Sequence, residues 1–117
     1  MHRLWRAFLS TRDGLVWAAR NETAVIQELA VLAIALPLSF AVSASGLMRI
    51  VLVGSVMLVL TVELINTALE KLCDHLAPEH SPNIKVVKDL GSAAVFVAIL
   101  IAAALWLHAL WALFHAA

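Results

Sequence analysis

An uncharged stretch of 25 residues near the end of the chain, residues 90–114, is the feature that most constrains the fold. A helix that crosses a bilayer needs about 20 predominantly apolar residues, so this stretch is long enough to do so. Residues 29–48 form another uncharged stretch, and residues 50–62 begin a third. The sequence therefore predicts an all-α membrane protein with membrane helices at 29–45, 47–76 and 88–114.

The composition supports the same interpretation. Of the 117 residues, 63% are hydrophobic and 14% are charged, and a water-soluble core of this length could not bury so much apolar surface. The net charge is zero and no block of basic residues is present, which argues against nucleic acid as a partner. The single cysteine, Cys73, excludes an internal disulfide. We therefore expect one membrane-embedded domain over residues 1–117.

Residues 1–28 differ from the predicted spans because charged side chains interrupt them throughout. We expect no signal peptide here, since no apolar region is long enough. An apolar stripe that includes Trp5 and Trp17 runs beside four arginines, which predicts an amphipathic helix at the membrane surface. Ordinary packing would explain both tryptophans equally well. We also expect a break near residues 11–14, and Asn21 as the N-cap of the next helix.

A polar face follows the second apolar stretch, within the sequence VELINTALEKLCD at residues 62–74. Glu63 is followed at offsets of 3, 7 and 11 by Asn66, Glu70 and Asp74, which places all four on one side of a helix. A carboxylate in hydrocarbon costs roughly 2.5–3.5 kcal/mol on insertion scales. The pattern therefore predicts a polar site in a membrane protein, although Glu70 and Asp74 are also compatible with a solvated helix end.

Two polar segments separate the predicted spans. Residues 43–46, Ser-Ala-Ser-Gly, predict a tight turn, and residues 77–85, which contain two prolines, predict a loop. One face of the last span carries small side chains that would let another helix approach closely: Gly91, Ala94, Ala98 and Ala102.

The distribution of basic residues predicts the orientation. The N-terminal segment carries four arginines and residues 71–88 carry three lysines, whereas the turn at 43–49 carries only Arg49. Because positive residues favour the cytoplasmic side, we expect the N-terminus and residues 71–88 in the cytoplasm and the C-terminus outside. This orientation places Glu63, Glu70 and Lys88 on the side where ATP is found.

Polar groups from four parts of the chain meet near that face in the predicted topology. They are Asn21–Glu22 with Gln27–Glu28, then Glu63, Asn66 and Glu70, then Glu79–Ser81, and finally Lys88–Ser92. Carboxylates beside a lysine provide oxygen ligands for magnesium and positive charge for phosphate. The sequence contains neither a P-loop nor a protein kinase Gly-rich loop. An intramembrane carboxylate is also what a small proton-coupled transporter would use.

Three motifs resemble the bacterial diacylglycerol kinase family of small integral membrane enzymes. They are NE-x4-QE at residues 21–28, VELINTALEKL at 62–72 and KDLGSAAV at 88–95. The resemblance extends over most of the chain. It implies a homotrimer of three-span subunits with a surface helix, located in the bacterial inner membrane. It also implies sites shared between subunits that phosphorylate a lipid hydroxyl, that of diacylglycerol, with MgATP.

The resemblance also implies roles for individual residues. Glu63 falls on the catalytic carboxylate, and Glu22 and Glu70 fall on the pair that holds Mg²⁺. Further residues fall on the ATP site: Arg3, Glu79, Lys88 and Asp89. Others fall at positions associated with the lipid substrate: Glu28, Arg49, Ser92 and Trp106.

These roles favour direct in-line transfer of the phosphoryl group to the lipid, giving a phosphatidic acid. Glu63 would take the proton from the primary hydroxyl, and Asn66, one turn further on, would orient that hydroxyl or Glu63. Lys88 would offset the charge that develops on the γ-phosphoryl group.

The chain departs from the family pattern in one respect, because it has no tyrosine. Ser10 and His80 stand where family members can carry a phenol, so the resemblance does not predict the contacts to the nucleotide base. The loop at residues 78–82 resembles the related undecaprenol kinases, whereas Gly-Ser-Ala-Ala at 91–94 favours the diacylglycerol type. The alternatives are an undecaprenol kinase of the same fold and a proton-coupled or non-catalytic membrane subunit.

Overall fold

The computed structural model describes residues 2–76 and 81–115, which form four α-helices and, within these ranges, no strand. The helices are α1 (His2–Asn21), α2 (Thr23–Val42), α3 (Gly46–Leu76) and α4 (Pro82–Phe114). By length and composition, α2, α3 and α4 are each able to cross a membrane. The prediction of an all-helical chain with three candidate spans is confirmed.

The helix boundaries differ most from the predicted spans at two helix starts; in addition, α2 ends at Val42, three residues before its predicted end, and α3 begins at Gly46, one residue before its predicted start. α2 begins at Thr23 and α4 at Pro82, each six residues before the predicted span. A helix can extend beyond its apolar residues into a polar segment. Proline is favoured in the first helical turn, because a backbone N–H there would have no hydrogen-bond partner within the helix. The predicted loop is therefore wrong for residues 82–85, and residues 77–80, including Glu79 and His80, lie outside the described part of the chain.

The predicted break in the N-terminal helix is also wrong, because α1 is continuous through residues 11–14. The Thr11 hydroxyl donates to the Ala7 carbonyl at 2.8 Å, and Arg12 pairs with Asp13 at 3.3 Å, so these polar groups are satisfied within the helix. Gly14 lacks the positive φ of a turn residue. A glycine inside a helix costs about 1 kcal/mol relative to alanine, which weakens a helix without ending it.

A single residue, Glu22, joins α1 to α2. Its backbone is extended and its side chain makes no capping hydrogen bond to α2. Asn21 is not the N-cap, because it is the last residue of α1 and its side-chain amide donates to the Trp17 carbonyl at 2.8 Å. The Glu22 carboxylate is thus free for other contacts at the corner between the two helices.

The α1 helix has both basic and aromatic side chains on its exposed surface. Trp5 stacks on Phe8 with 5.7 Å between ring centroids, and both are mostly exposed. Trp17 is also exposed, and the Lys71 ammonium of α3 lies 4.9 Å from its ring centroid. The position of α1 at a membrane surface remains a prediction.

The predicted turn between α2 and α3 is confirmed at residues 43–45, after which α3 begins at Gly46. The Ser45 hydroxyl accepts a hydrogen bond from the Met48 N–H at 3.2 Å, as an N-cap residue does. Arg49 closes the turn, because its Nε donates to the Ser43 carbonyl at 2.9 Å and its guanidinium lies 4.4 Å from the Phe40 ring centroid.

α3 is the central helix and packs against both α2 and α4. Two apolar clusters hold the helices together, one around Val25 and Leu60 near the middle of α3 and one around Leu52 and Ala109 nearer its start. Gly91 and Ala98 of the predicted small-residue face are buried, whereas Ala94 is exposed. The Trp106 indole adds a link, since its Nε1 donates to the Leu52 carbonyl at 3.1 Å.

The outer surface of the bundle is strongly apolar. The chain exposes 8512 Å² in total, whereas a compact soluble monomer of this mass, 12.6 kDa, exposes about 6,200 Å². Large side chains such as Phe96, Leu107 and Trp111 on α4 are each at least 60% exposed. Lipid or other subunits are needed to cover this surface.

Candidate active site

The polar face of α3 is held together by a hydrogen bond between Asn66 and Glu70. The Asn66 side-chain amide donates to Glu70 Oε1 at 2.8 Å, and Asn66 is only 8% exposed while Glu70 is exposed. Asn66 was expected to orient Glu63 or a substrate hydroxyl. In the structure its amide orients Glu70 instead.

Gly91 of α4 lies directly against Asn66. A Cβ atom on Gly91 would overlap the Asn66 carboxamide oxygen and would lie 3.2 Å from Asn66 Cγ. That oxygen is buried and has no hydrogen-bond partner among the described residues. With Asn66 in this position only glycine fits at residue 91, so the close approach of α4 restricts the side chain that orients Glu70.

Glu63 lies in a groove formed by α2, α3 and α4. The groove has a volume of about 610 Å³ and a mainly apolar lining, and it extends along residues 24–38 of α2. Glu28, Glu63 and Trp106, all predicted to contact the lipid substrate, line it together. One carboxylate oxygen of Glu28 is buried without a hydrogen-bond partner in the described structure. An apolar groove with two carboxylates fits a molecule that is mostly hydrocarbon but has a polar end.

Several carboxylates surround Glu63. Glu22, Glu28 and Glu70 are all near enough to interact with it electrostatically. These like charges repel, and a divalent cation would offset the repulsion. Over residues 2–76 and 81–115, no group of three or more Asp, Glu, His or Cys side chains is arranged to hold a metal alone.

The Glu22 and Glu70 carboxylates nevertheless fit the coordination that Mg²⁺ prefers. Magnesium usually takes one or two protein carboxylates and completes its shell with water and substrate phosphates. Glu22 has no capping bond to break, and Glu70 is oriented by Asn66. By its chemistry, this pair of carboxylates would suit a metal that takes its remaining ligands from water and phosphate.

Lys88 and Asp89, predicted for the ATP site, are each held in an ion pair. Lys88 Nζ donates to Asp74 Oδ1 at 2.7 Å, and Lys85 Nζ donates to Asp89 Oδ2 at 2.6 Å. The first pair connects α3 to α4, and sequence reasoning missed it. Helical spacing placed Asp74 on the polar face, but it contained no signal for a partner on the next helix.

Three other predicted site residues lie apart from this group. Arg49 is 14 residues before Glu63 on α3, so it is about 21 Å away along the helix axis. Arg3 is exposed in the first turn of α1, about 28 Å along that helix from Glu22. Ser92 is exposed beside Gly91 and does not line the groove. Glu79 lies outside the described residues.

The sequence model described as prokaryotic diacylglycerol kinase matches residues 10–110. The chain belongs to this family. The diacylglycerol kinase of Escherichia coli (strain K12) is 37% identical over 101 residues, which cover 86% of this chain and 83% of that protein. That of Haemophilus influenzae is 37% identical over 94 residues, or 80% of each chain. That of Helicobacter pylori (strain 26695) is 30% identical over 112 residues, or 96% and 88% of the two chains.

Membership of the diacylglycerol kinase family confirms the family predicted from the three motifs, and with it an enzyme of the kinase class. It favours an enzyme over the proton-coupled or non-catalytic membrane subunit. The matched region of the diacylglycerol kinase model includes the groove, the carboxylates around Glu63 and the Lys88–Asp74 pair. Arg3 lies outside the matched residues.

Proposed function

We propose that this chain transfers the γ-phosphoryl group of MgATP to the primary hydroxyl of diacylglycerol, giving phosphatidic acid. The observation that carries the proposal is the groove of about 610 Å³ in which Glu63 and Glu28 are set among apolar side chains. The acyl chains of a diacylglycerol match the apolar lining, and its one hydroxyl matches the carboxylates. The names of the similar proteins support the same lipid.

Glu63 is the proposed general base. It is half-buried and lines the groove, so a lipid headgroup in the groove would meet it without leaving the membrane. The lipid oxygen attacks the γ-phosphorus, its proton goes to the Glu63 carboxylate, and ADP leaves with the bridging oxygen. Positioned general bases contribute about 10²–10⁴-fold to rate.

Glu22 and Glu70 are the proposed ligands of the magnesium that accompanies ATP. Bound Mg²⁺ would supply positive charge at the phosphate oxygens. The hydrogen bond from Asn66 fixes the direction of Glu70, and burial of Asn66 against Gly91 fixes Asn66 in turn. Lys88, on α4, is the proposed contact to the γ-phosphoryl group, with Asp89 nearby at the nucleotide site.

We further propose a homotrimer in the bacterial inner membrane, with α1 on the cytoplasmic surface and the site on that side. The apolar outer face of α4 supports an assembly, because that face is uncovered in one chain. The positive residues of α1 and residues 71–88 support the orientation. Neighbouring subunits would bring further groups, such as Ser92 of another copy, to a shared site.

The proposal is tested with the purified protein in lipid–detergent micelles, radiolabelled ATP and two acceptors, diacylglycerol and undecaprenol. We expect labelled phosphatidic acid, its loss in Glu63→Gln and its retention in Asp13→Asn, a matched control that removes an exposed carboxylate on α1. If undecaprenol alone is labelled, the acceptor is undecaprenol and not the diacylglycerol that we propose. Labelling of neither lipid would refute the kinase reaction.

A further inference from the structure

Asp74 is the one member of the α3 polar face to which the proposed reaction gives no role. Its Oδ1 accepts a hydrogen bond from Lys88 Nζ at 2.7 Å, although the two residues are 14 positions apart on different helices. The side chains are 63% and 39% exposed. An exposed ion pair adds little to the stability of a fold, so a role in holding α3 to α4 is a weak explanation for it.

The other carboxylates near Lys88 explain what Asp74 does. Asp89, its neighbour in the chain, is already bound to Lys85 at 2.6 Å. Glu70 is close enough to Lys88 to act on it electrostatically and lies one turn nearer Glu63. Without Asp74, the Lys88 ammonium would be drawn toward Glu70, the proposed magnesium ligand.

The geometry points to Asp74 as a positioning residue that holds the Lys88 ammonium in place for the γ-phosphoryl group and away from Glu70. This inference rests on the proposed role of Lys88 in ATP binding. A lysine ammonium has three N–H donors on a flexible stem. One bond to Asp74 directs the stem and leaves two donors for phosphate oxygens.

A comparison of two nucleotides tests the inference by equilibrium binding to the intact protein in micelles. Because ADP lacks the γ-phosphoryl group, we expect Asp74→Asn to weaken MgATP binding about tenfold, as for loss of one charged hydrogen bond, and to leave MgADP binding unchanged. Asp74→Glu keeps the carboxylate and should restore MgATP affinity. Asp13→Asn, which removes the negative charge of another exposed ion pair, should change neither.

A second comparison separates positioning from folding. In a Lys88→Gln background, Asp74→Asn should cause no further loss of MgATP affinity, because the side chain that it positions is absent. Equal weakening of MgATP and MgADP, or an unchanged MgATP affinity, would overturn the inference. If the wild-type protein binds MgATP but phosphorylates no lipid, the proposed function is refuted and the inference about Asp74 is not. The binding data would still decide the role of Asp74.

Discussion

Replacing Gly91 with alanine tests the contact that fixes the candidate site. The new Cβ would overlap the Asn66 carboxamide oxygen, so the Asn66 side chain must move and release Glu70, to which it is bonded at 2.8 Å. Overpacking costs about 1–3 kcal/mol, and the lost hydrogen bond adds about 1 kcal/mol. The higher helix propensity of alanine offsets about 1 kcal/mol of this loss of stability. We therefore expect the free energy of unfolding to fall by about 1–3 kcal/mol.

The assay is denaturant unfolding in micelles, with Gly54→Ala as the matched control. Nothing lies within 4 Å of a Cβ on Gly54, so this variant should be as stable as wild type or more stable. In an Asn66→Ala background the overlap disappears, because the carboxamide is gone. The Cβ atom added at residue 91 would then lie 4.0 Å from the Cβ atom of residue 66, which is an ordinary contact. Gly91→Ala should then cost little.

Activity gives an independent measure of the same contact. Because the released Glu70 is no longer oriented, Gly91→Ala should require more Mg²⁺ for half-maximal activity. Wild-type stability in Gly91→Ala would refute the reasoning. So would a loss of stability that persists in the Asn66→Ala background, because the cost would then come from another contact.

Three further predictions concern the site and its orientation. Glu63→Gln should lower kcat by about 10²–10⁴ with little change in the Mg²⁺ requirement, measured in the lipid phosphorylation assay; near-normal kcat would place the base elsewhere. Glu70→Gln should raise the Mg²⁺ and ATP concentrations for half activity, and an unchanged Mg²⁺ titration would exclude it as a ligand. In a Cys73→Ser background, an impermeant thiol reagent outside the cell should label His115→Cys and not Lys85→Cys, and the reverse would invert the topology.

The sequence predicted the helices well because the signal for a membrane span is strong. A run of uncharged residues as long as 90–114 leaves the chain few alternatives to a helix. The same signal misplaced the helix ends. A run of apolar residues indicates which segment can lie in hydrocarbon, but it does not indicate where the backbone hydrogen bonds of the helix begin or end. α4 therefore begins at Pro82, among polar residues, and α1 continues through Gly14.

The detailed geometry of the candidate site was predictable only within one helix; between helices, the sequence predicted which segments lie near the same face but not their contacts. Spacing placed Glu63, Asn66 and Glu70 on one face, and the Asn66–Glu70 bond joins residues four apart. Contacts between helices had no such signal, because packing distances and crossing angles set them. The Lys88–Asp74 pair and the groove shared by α2, α3 and α4 therefore emerged only from the structure.

The positions of the two central carboxylates along α3 explain why we propose a separate role for each. Glu63 and Glu70 are seven residues apart, or about 10 Å along the axis, whereas a Mg²⁺–oxygen bond is only about 2.0–2.1 Å. One ion therefore cannot bind both. Glu63 is half-buried in the apolar groove and Glu70 is exposed, so in the proposed reaction a lipid hydroxyl would reach Glu63 and a hydrated metal would reach Glu70. A single helix thus presents one acid residue to an apolar groove and another to solvent.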